Sequence, residues 1–328
     1  MKWPIAIAAA FSLVALSPSS AAGPEPPDGG SGGVYTSSDR IVRHDSKVKN
    51  LKSYETLSMF LRLPASGGKA RGVLCMCVLA EDPLDVPDRM NAASKAVAFA
   101  DRHDFAVVAW GSKQLWDPAR NWNEMAEDDA KDASRGFDCA ANAWDVGIRH
   151  FVSNYGIPAS GYLMTGFSGS AQYAMRLAMR HPERFLAVHL HIPSSFDNPV
   201  KKGASVLWCL TTGENEMGYE RSLAFFHAAR RRGYPFIYKA YPGLGHKTDA
   251  RAVELGFACF EYALELSTAS AEGVDAARPD WKTALSSSKS VADIFNQRVF
   301  RRLDADCIPP KFRMPLLSES IAIAWESK

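Results

Sequence analysis

The chain has 328 residues, of which 47% are hydrophobic, 23% charged and 11% aromatic, and its formal net charge is +2. That composition supplies ample apolar material for a core and excludes a disordered chain, a collagen-like chain and a coiled coil. With 38 Lys and Arg against 36 Asp and Glu there is no global basic field to hold nucleic acid or an anionic membrane, and six scattered cysteines are too few for a disulfide scaffold.

Met1 and Lys2 precede an apolar run from Pro4 to Leu16 and small residues through Ala22. A basic start, an apolar stretch too short for the ~20 residues of a spanning helix and a small-x-small cleavage site predict a secretory signal peptide over residues 1–22. Residues 23–34 read as a Pro/Gly linker with nothing to bury. Within it, Gly29 to Gly33 spell a literal G-x-S-x-G, but no strand precedes the motif and no helix follows, so Ser31 lacks the turn that makes such a serine reactive.

From residue 35 to 267 an α/β domain is expected. Val73–Leu79 (VLCMCVL) is a continuous apolar run, as a central strand covered on both faces requires. A helix over Asp82–Asp101, a strand over Phe105–Trp110, a helix over Asp128–Tyr155 and a strand over Gly161–Thr165 follow. Next come a helix over Gly169–His181 stopped by Pro182, strands over Phe185–Ile192 and Ser205–Leu210, a helix over Tyr219–Arg232, a strand over Phe236–Tyr241 and a helix over Asp249–Leu266. Strands alternating with helices predict a mostly parallel sheet flanked by helices, whose chemistry sits beyond the carboxyl ends of the strands. Residues 268–328 change character and read as a C-terminal extension packed on the domain. The extension carries one short helix over Val291–Phe300 and is expected to approach the site through Trp281 or Trp325.

Gly166-Phe167-Ser168-Gly169-Ser170 follows the GYLMT strand directly and opens the next helix. Small residues on either side of Ser168 let the strand reverse sharply into the helix and push the hydroxyl out over the sheet edge. The helix N-terminus then favours a developing oxyanion, to which the Gly169 N–H can donate. Ser170 stands where this motif usually has Gly. With the GYLMTGFSGS elbow, the HPERF segment after it, a TTGENE segment at 211–216 and a PGLGH loop at 242–246, the chain resembles the α/β-hydrolase superfamily, and within it secreted esterases similar to polyhydroxyalkanoate depolymerases and feruloyl esterases.

The resemblance implies the chain order serine, acid, histidine. It makes Ser168 the nucleophile and His246 its base, and it places the acid at Glu216, with Glu214, Asp197 and Asp249 as open alternatives. A second oxyanion donor is expected from Ala80 or Leu79, where many relatives carry His-Gly. Trp116 and Trp122 are candidate walls of a substrate pocket. His189-x-His191 has metal-compatible spacing but no acidic cluster, so both read as satisfied core or rim histidines, and Cys75 and Cys77 as small buried hydrophobes. No cofactor or metal is expected. The predicted function is a secreted serine hydrolase acting on small-molecule or polymeric carboxylic esters. The alternatives are a prolyl-oligopeptidase-like peptidase, against which the chain lacks a propeller, and a catalytically inactive hydrolase fold that binds a glycan, lipid or polymer.

Overall fold

The computed structural model describes residues 34–36, 40–47, 56–78, 83–112, 141–193, 195–268 and 278–327. All described residues belong to one compact unit, Gly32–Lys328. That unit is built on β1 (Val34–Thr36), β2 (Arg40–Lys47), β3 (Thr56–Arg62), β4 (Gly72–Cys77), β5 (Phe105–Ser112), β6 (Tyr162–Phe167), β7 (Phe185–His191), β8 (Leu207–Gly213) and β9 (Phe236–Tyr241). They form one sheet in the order β1-β2-β3-β5-β4-β6-β7-β8-β9. The first three strands and the β3–β5 contact are antiparallel, and from β5 to β9 every pairing is parallel.

Right-handed crossovers between the parallel strands require helices on both faces, which is why the central strands are apolar along their whole length. The helices are α1 (Val86–Ala92), α2 (Ser94–Arg102), α3 (described over 141–155), α4 (Gly169–Arg180), α5 (Tyr219–Arg231) and α6 (Ala250–Thr268). Both α4 and α6 pack on β7, and all seven residues of β7 are buried. Phe99 of α2 stacks on Phe257 of α6 at 4.9 Å. On α3, Trp144 packs against Tyr162 and Phe185 at the start of β6 and β7. Cys75 and Cys77 are buried free thiols within β4.

The sequence pattern did not anticipate β2 and β3. In β2 (RIVRHDSK) charged and polar side chains alternate with few apolar ones, so the strand carries no buried run. The extension differs more. In place of a helix over Val291–Phe300 there is an antiparallel sheet of β10 (Ser290–Asp293), β11 (Arg298–Arg301) and β12 (Arg313–Leu316), ordered β11-β10-β12. The Asp293 carboxylate accepts the N–H groups of Phe295 and Asn296, and Gln297 turns at φ 55°, which closes a hairpin where the apolar spacing alone reads as helix.

Two further helices, α7 (Trp281–Ser287) and α8 (Glu319–Glu326), flank this small sheet. Trp281 Nε1–H donates to the Ser205 carbonyl, ahead of the first residue of β8 and thus at the end of the sheet opposite the carboxyl ends. Trp325 is fully buried and donates to the Tyr238 carbonyl in the middle of β9. Neither tryptophan therefore stands at the strand ends where the extension was expected to meet the site. Trp325 also covers Lys239, whose ammonium lies 3.9 Å from the indole centroid and is depressed to about 8 by burial. Among the described residues no helix is long and apolar enough to cross a membrane.

Candidate active site

Between β6 and α4 the chain turns through Ser168 at φ 58°, ψ −127°. A side-chain-bearing residue at positive φ is strained by about 1–3 kcal/mol and persists only where its surroundings fix it. Here they do. The Ser168 N–H donates to the His191 carbonyl at 2.9 Å, and its own carbonyl accepts from Ala171 and Gln172 to start α4. Gly166 is required at the return, because a Cβ there would lie 2.6 Å from the Ser170 carbonyl oxygen. Ser170 is itself buried here, near the thiol of Cys77 at the end of neighbouring β4. Burial pushes that thiol up to about 12.

His246 follows β9 in a loop that turns at Gly243, φ 70°. Its Nε2 lies 2.8 Å from Ser168 Oγ, and its Nδ1 lies 3.0 Å from Glu216 Oε2. A carboxylate only accepts, so the imidazole proton sits on Nδ1 and donates to Glu216, while Nε2 accepts the Ser168 hydroxyl proton. The Glu216 side chain is 10% exposed and that of His246 48%, so the carboxylate is sheltered and the imidazole opens to solvent.

Glu216 reaches His246 because the turn after β8 is stitched to the histidine loop. Glu214 N–H donates to the Tyr241 carbonyl at 3.1 Å, and Asn215 N–H to the Leu244 carbonyl at 3.0 Å. The two segments meet at Gly213, where any Cβ would collide with the Leu244 carbonyl. Gly213→Ala is therefore expected to destabilise the protein by about 1–3 kcal/mol and to lower its Tm, which thermal unfolding of the variant beside wild type would measure.

The other carboxylates are engaged elsewhere. Asp197 makes a two-point ion pair with Arg176 at 2.7 and 2.9 Å. Asp249 is clasped by Arg251, whose hydrogen bonds hold its carboxyl down at about 2. Glu214 is exposed on the same turn as Glu216. Gly169 is the first residue of α4, where backbone N–H groups have no acceptor within the helix. Ala80, Leu79, Trp116 and Trp122 lie outside the described residues.

Beneath the loop, Phe167 packs between the rings of His246 and His191, 5.4 Å from each. All four ring nitrogens of His189 and His191 have hydrogen-bond partners, on Thr165, Thr211 and the Lys247 carbonyl. Sequence reasoning read these histidines as satisfied core or rim residues and did not foresee that one of them touches both Ser168 and the histidine loop. The signal was their position, at the carboxyl end of a strand directly beside the elbow strand.

The strand order, the antiparallel β3 and a serine at positive φ between β6 and α4 define an α/β-hydrolase fold. No protein-family model matches the chain, and no curated protein matches it. Among solved structures it is similar to a ferulic acid esterase, at 14% identity over 69% of this chain and 98% of that one, with a TM-score of 0.46. It is similar also to an S-formylglutathione hydrolase from Agrobacterium tumefaciens, at 12% identity over 71% and 98% of the two chains, with a TM-score of 0.48. An arylesterase aligns at 14% identity over 68% of this chain and 83% of its own, with a TM-score of 0.44.

Proposed function

We propose that the protein is a secreted serine hydrolase that cleaves carboxylic esters through an acyl-enzyme on Ser168. The observation that carries the reading is the unbroken hydrogen-bonded series Glu216–His246–Ser168, with the serine on a strained turn at the head of a helix. Ser168 Oγ attacks the ester carbonyl carbon as its proton passes to His246 Nε2, and Glu216 steadies the imidazolium that forms. The carbonyl oxygen becomes an oxyanion facing the Gly169 N–H and the positive end of α4, with Ala80 as the second donor. Collapse of the tetrahedral intermediate expels the alkoxide, which leaves as alcohol with the proton from His246. Water then gives a proton to His246, attacks the acyl carbon, and releases the carboxylic acid while Ser168 recovers its proton. Trp116 and Trp122, which follow β5 in the sequence, are proposed to wall the acyl or aromatic part of the substrate. Residues 1–22, read as an export signal, support action outside the cytosol.

A fluorophosphonate probe tests the reading. Peptide mapping is expected to find one adduct, on Ser168, at neutral pH, and none in His246→Ala. A wild-type protein that stays unlabelled and leaves a graded panel of acyl esters intact would overturn it.

A further inference from the structure

We infer that His191 is a positioning residue of this site: its carbonyl fixes the turn bearing Ser168, and its imidazole fixes the loop bearing His246. The inference rests on the reading of Ser168 and His246 as nucleophile and base. His191 ends β7, paired with Phe167 of β6 on one side and with Thr211 of β8 on the other. Its carbonyl accepts the Ser168 N–H at 2.9 Å. Its Nε2 lies 3.1 Å from the carbonyl of Lys247, the residue after His246. Lys247 N–H in turn closes onto the Gly245 carbonyl at 2.9 Å, so the anchored turn is the one that contains His246.

The proton positions follow from one constraint. A carbonyl only accepts, so the bond to Lys247 requires a proton on His191 Nε2. Burial depresses His191 to about 4, so the neutral ring carries no second proton at pH 7 and its Nδ1 is an acceptor. The Thr211 hydroxyl, 2.8 Å away, donates to it. The same hydroxyl has the Leu190 carbonyl at 3.4 Å as a competing acceptor, and the shorter contact prevails. Thr211 Oγ1 then accepts from His189 Nε2, at 3.1 Å. Burial also keeps His189 neutral, at about 3, so its Nδ1 accepts the Thr165 hydroxyl at 3.2 Å.

Donation therefore runs one way, from Thr165 through His189, Thr211 and His191 to the Lys247 carbonyl. It crosses β6, β7 and β8 before reaching the loop, and a fully satisfied buried network of this kind specifies a single arrangement. Immediately after His191 the chain leaves the sheet at Ile192, a β-branched residue at φ 49°. Such strain persists only when over-determined. Ile192 N–H donates to the Thr211 carbonyl at 2.8 Å, and its side chain packs with Tyr241, Leu244 and Ala252 under the histidine loop.

The test uses time-resolved fluorophosphonate labelling of wild type, His191→Leu, His191→Gln and Thr211→Val. The endpoint stoichiometry counts competent sites, and the saturating rate reports reactivity per site. His191→Leu is expected to keep the stoichiometry and lower the rate per site by about 100-fold, the scale of an ångström's misplacement. His191→Gln, whose amide N–H stands near the lost Nε2–H, is expected to recover to within about tenfold of wild type. Thr211→Val is nearly isosteric and removes the hydroxyl that donates to His191 Nδ1, so it should slow labelling while remaining folded. In wild type, a long-range proton–nitrogen NMR spectrum should show His191 protonated at Nε2 alone. An unchanged rate per site in His191→Leu, a loss of stoichiometry in proportion to activity, or His191 protonated at Nδ1 in wild type would overturn the inference while leaving the hydrolase reading standing. A wild type that does not label at Ser168 would overturn both.

Discussion

Ser168→Ala and His246→Ala are each expected to lower kcat/KM for a carboxylic ester by about 10⁵- to 10⁶-fold, and the double variant is expected to be no worse than either alone. In the proposed mechanism the two side chains act as a unit because they share one proton: at 2.8 Å, the Ser168 hydroxyl becomes nucleophilic only as His246 Nε2 takes its hydrogen. Removing either partner removes the whole proton transfer, so the second deletion has nothing left to remove. What survives is substrate binding together with oxyanion stabilisation at the head of α4. Stability should move independently of activity. Alanine keeps a Cβ at φ 58°, so Ser168→Ala leaves the strained turn in place, whereas Ser168→Gly relieves it and is expected to raise stability by about 1 kcal/mol. Purified variants measured by thermal unfolding and by ester turnover on the same preparations would show the two effects. A Ser168→Ala protein that still turns over the ester at more than a hundredth of the wild-type rate would place the nucleophile elsewhere.

The sequence made the sheet's parallel half legible because burial on both faces leaves little freedom of composition. Runs such as FAVVAW, FLAVHLHI and PFIYKAY cannot be solvent-facing, and Pro182 and Gly233 mark where chains turn. The antiparallel β2 was not legible, because a strand near the sheet edge tolerates the charges that the inner strands exclude. Nor was the β10–β11 hairpin, which depends on the Asp293 carboxylate capturing backbone N–H groups. At the site, the elbow was readable from local order alone, since strand, small residues and helix are contiguous. The acid was not. Four carboxylates were compatible with the chain order, and what separates them is non-local: the contact of Gly213 with Leu244, and the guanidinium groups of Arg176 and Arg251 that engage Asp197 and Asp249. His191 was opaque for the same reason, since its role depends on a carbonyl 56 residues away in sequence.

Glu216→Gln is expected to lower kcat by about 10⁴-fold, the scale seen when a triad carboxylate becomes an amide, while leaving KM for a small ester nearly unchanged. The carboxylate at 3.0 Å from His246 Nδ1 accepts only, which holds the imidazole proton on Nδ1 and keeps Nε2 open for the serine proton. An amide can rotate to present N–H₂ instead. The imidazole then carries its proton on Nε2, facing Ser168, and can no longer act as base. Because the Glu216 side chain is only 10% exposed, water is poorly placed to substitute for the lost acceptor. Glu216→Asp should fall between, since the shorter arm withdraws the carboxylate while the hydrogen bonds from Glu214 and Asn215 to the histidine loop hold the backbone in place. Glu214→Gln and Asp197→Asn are the matched controls, expected within a few-fold of wild type because neither side chain reaches His246. Should Glu214→Gln fall as far as Glu216→Gln, the turn would have to present a different carboxylate to His246 during turnover, and the order of the two acids along TTGENE would be reversed.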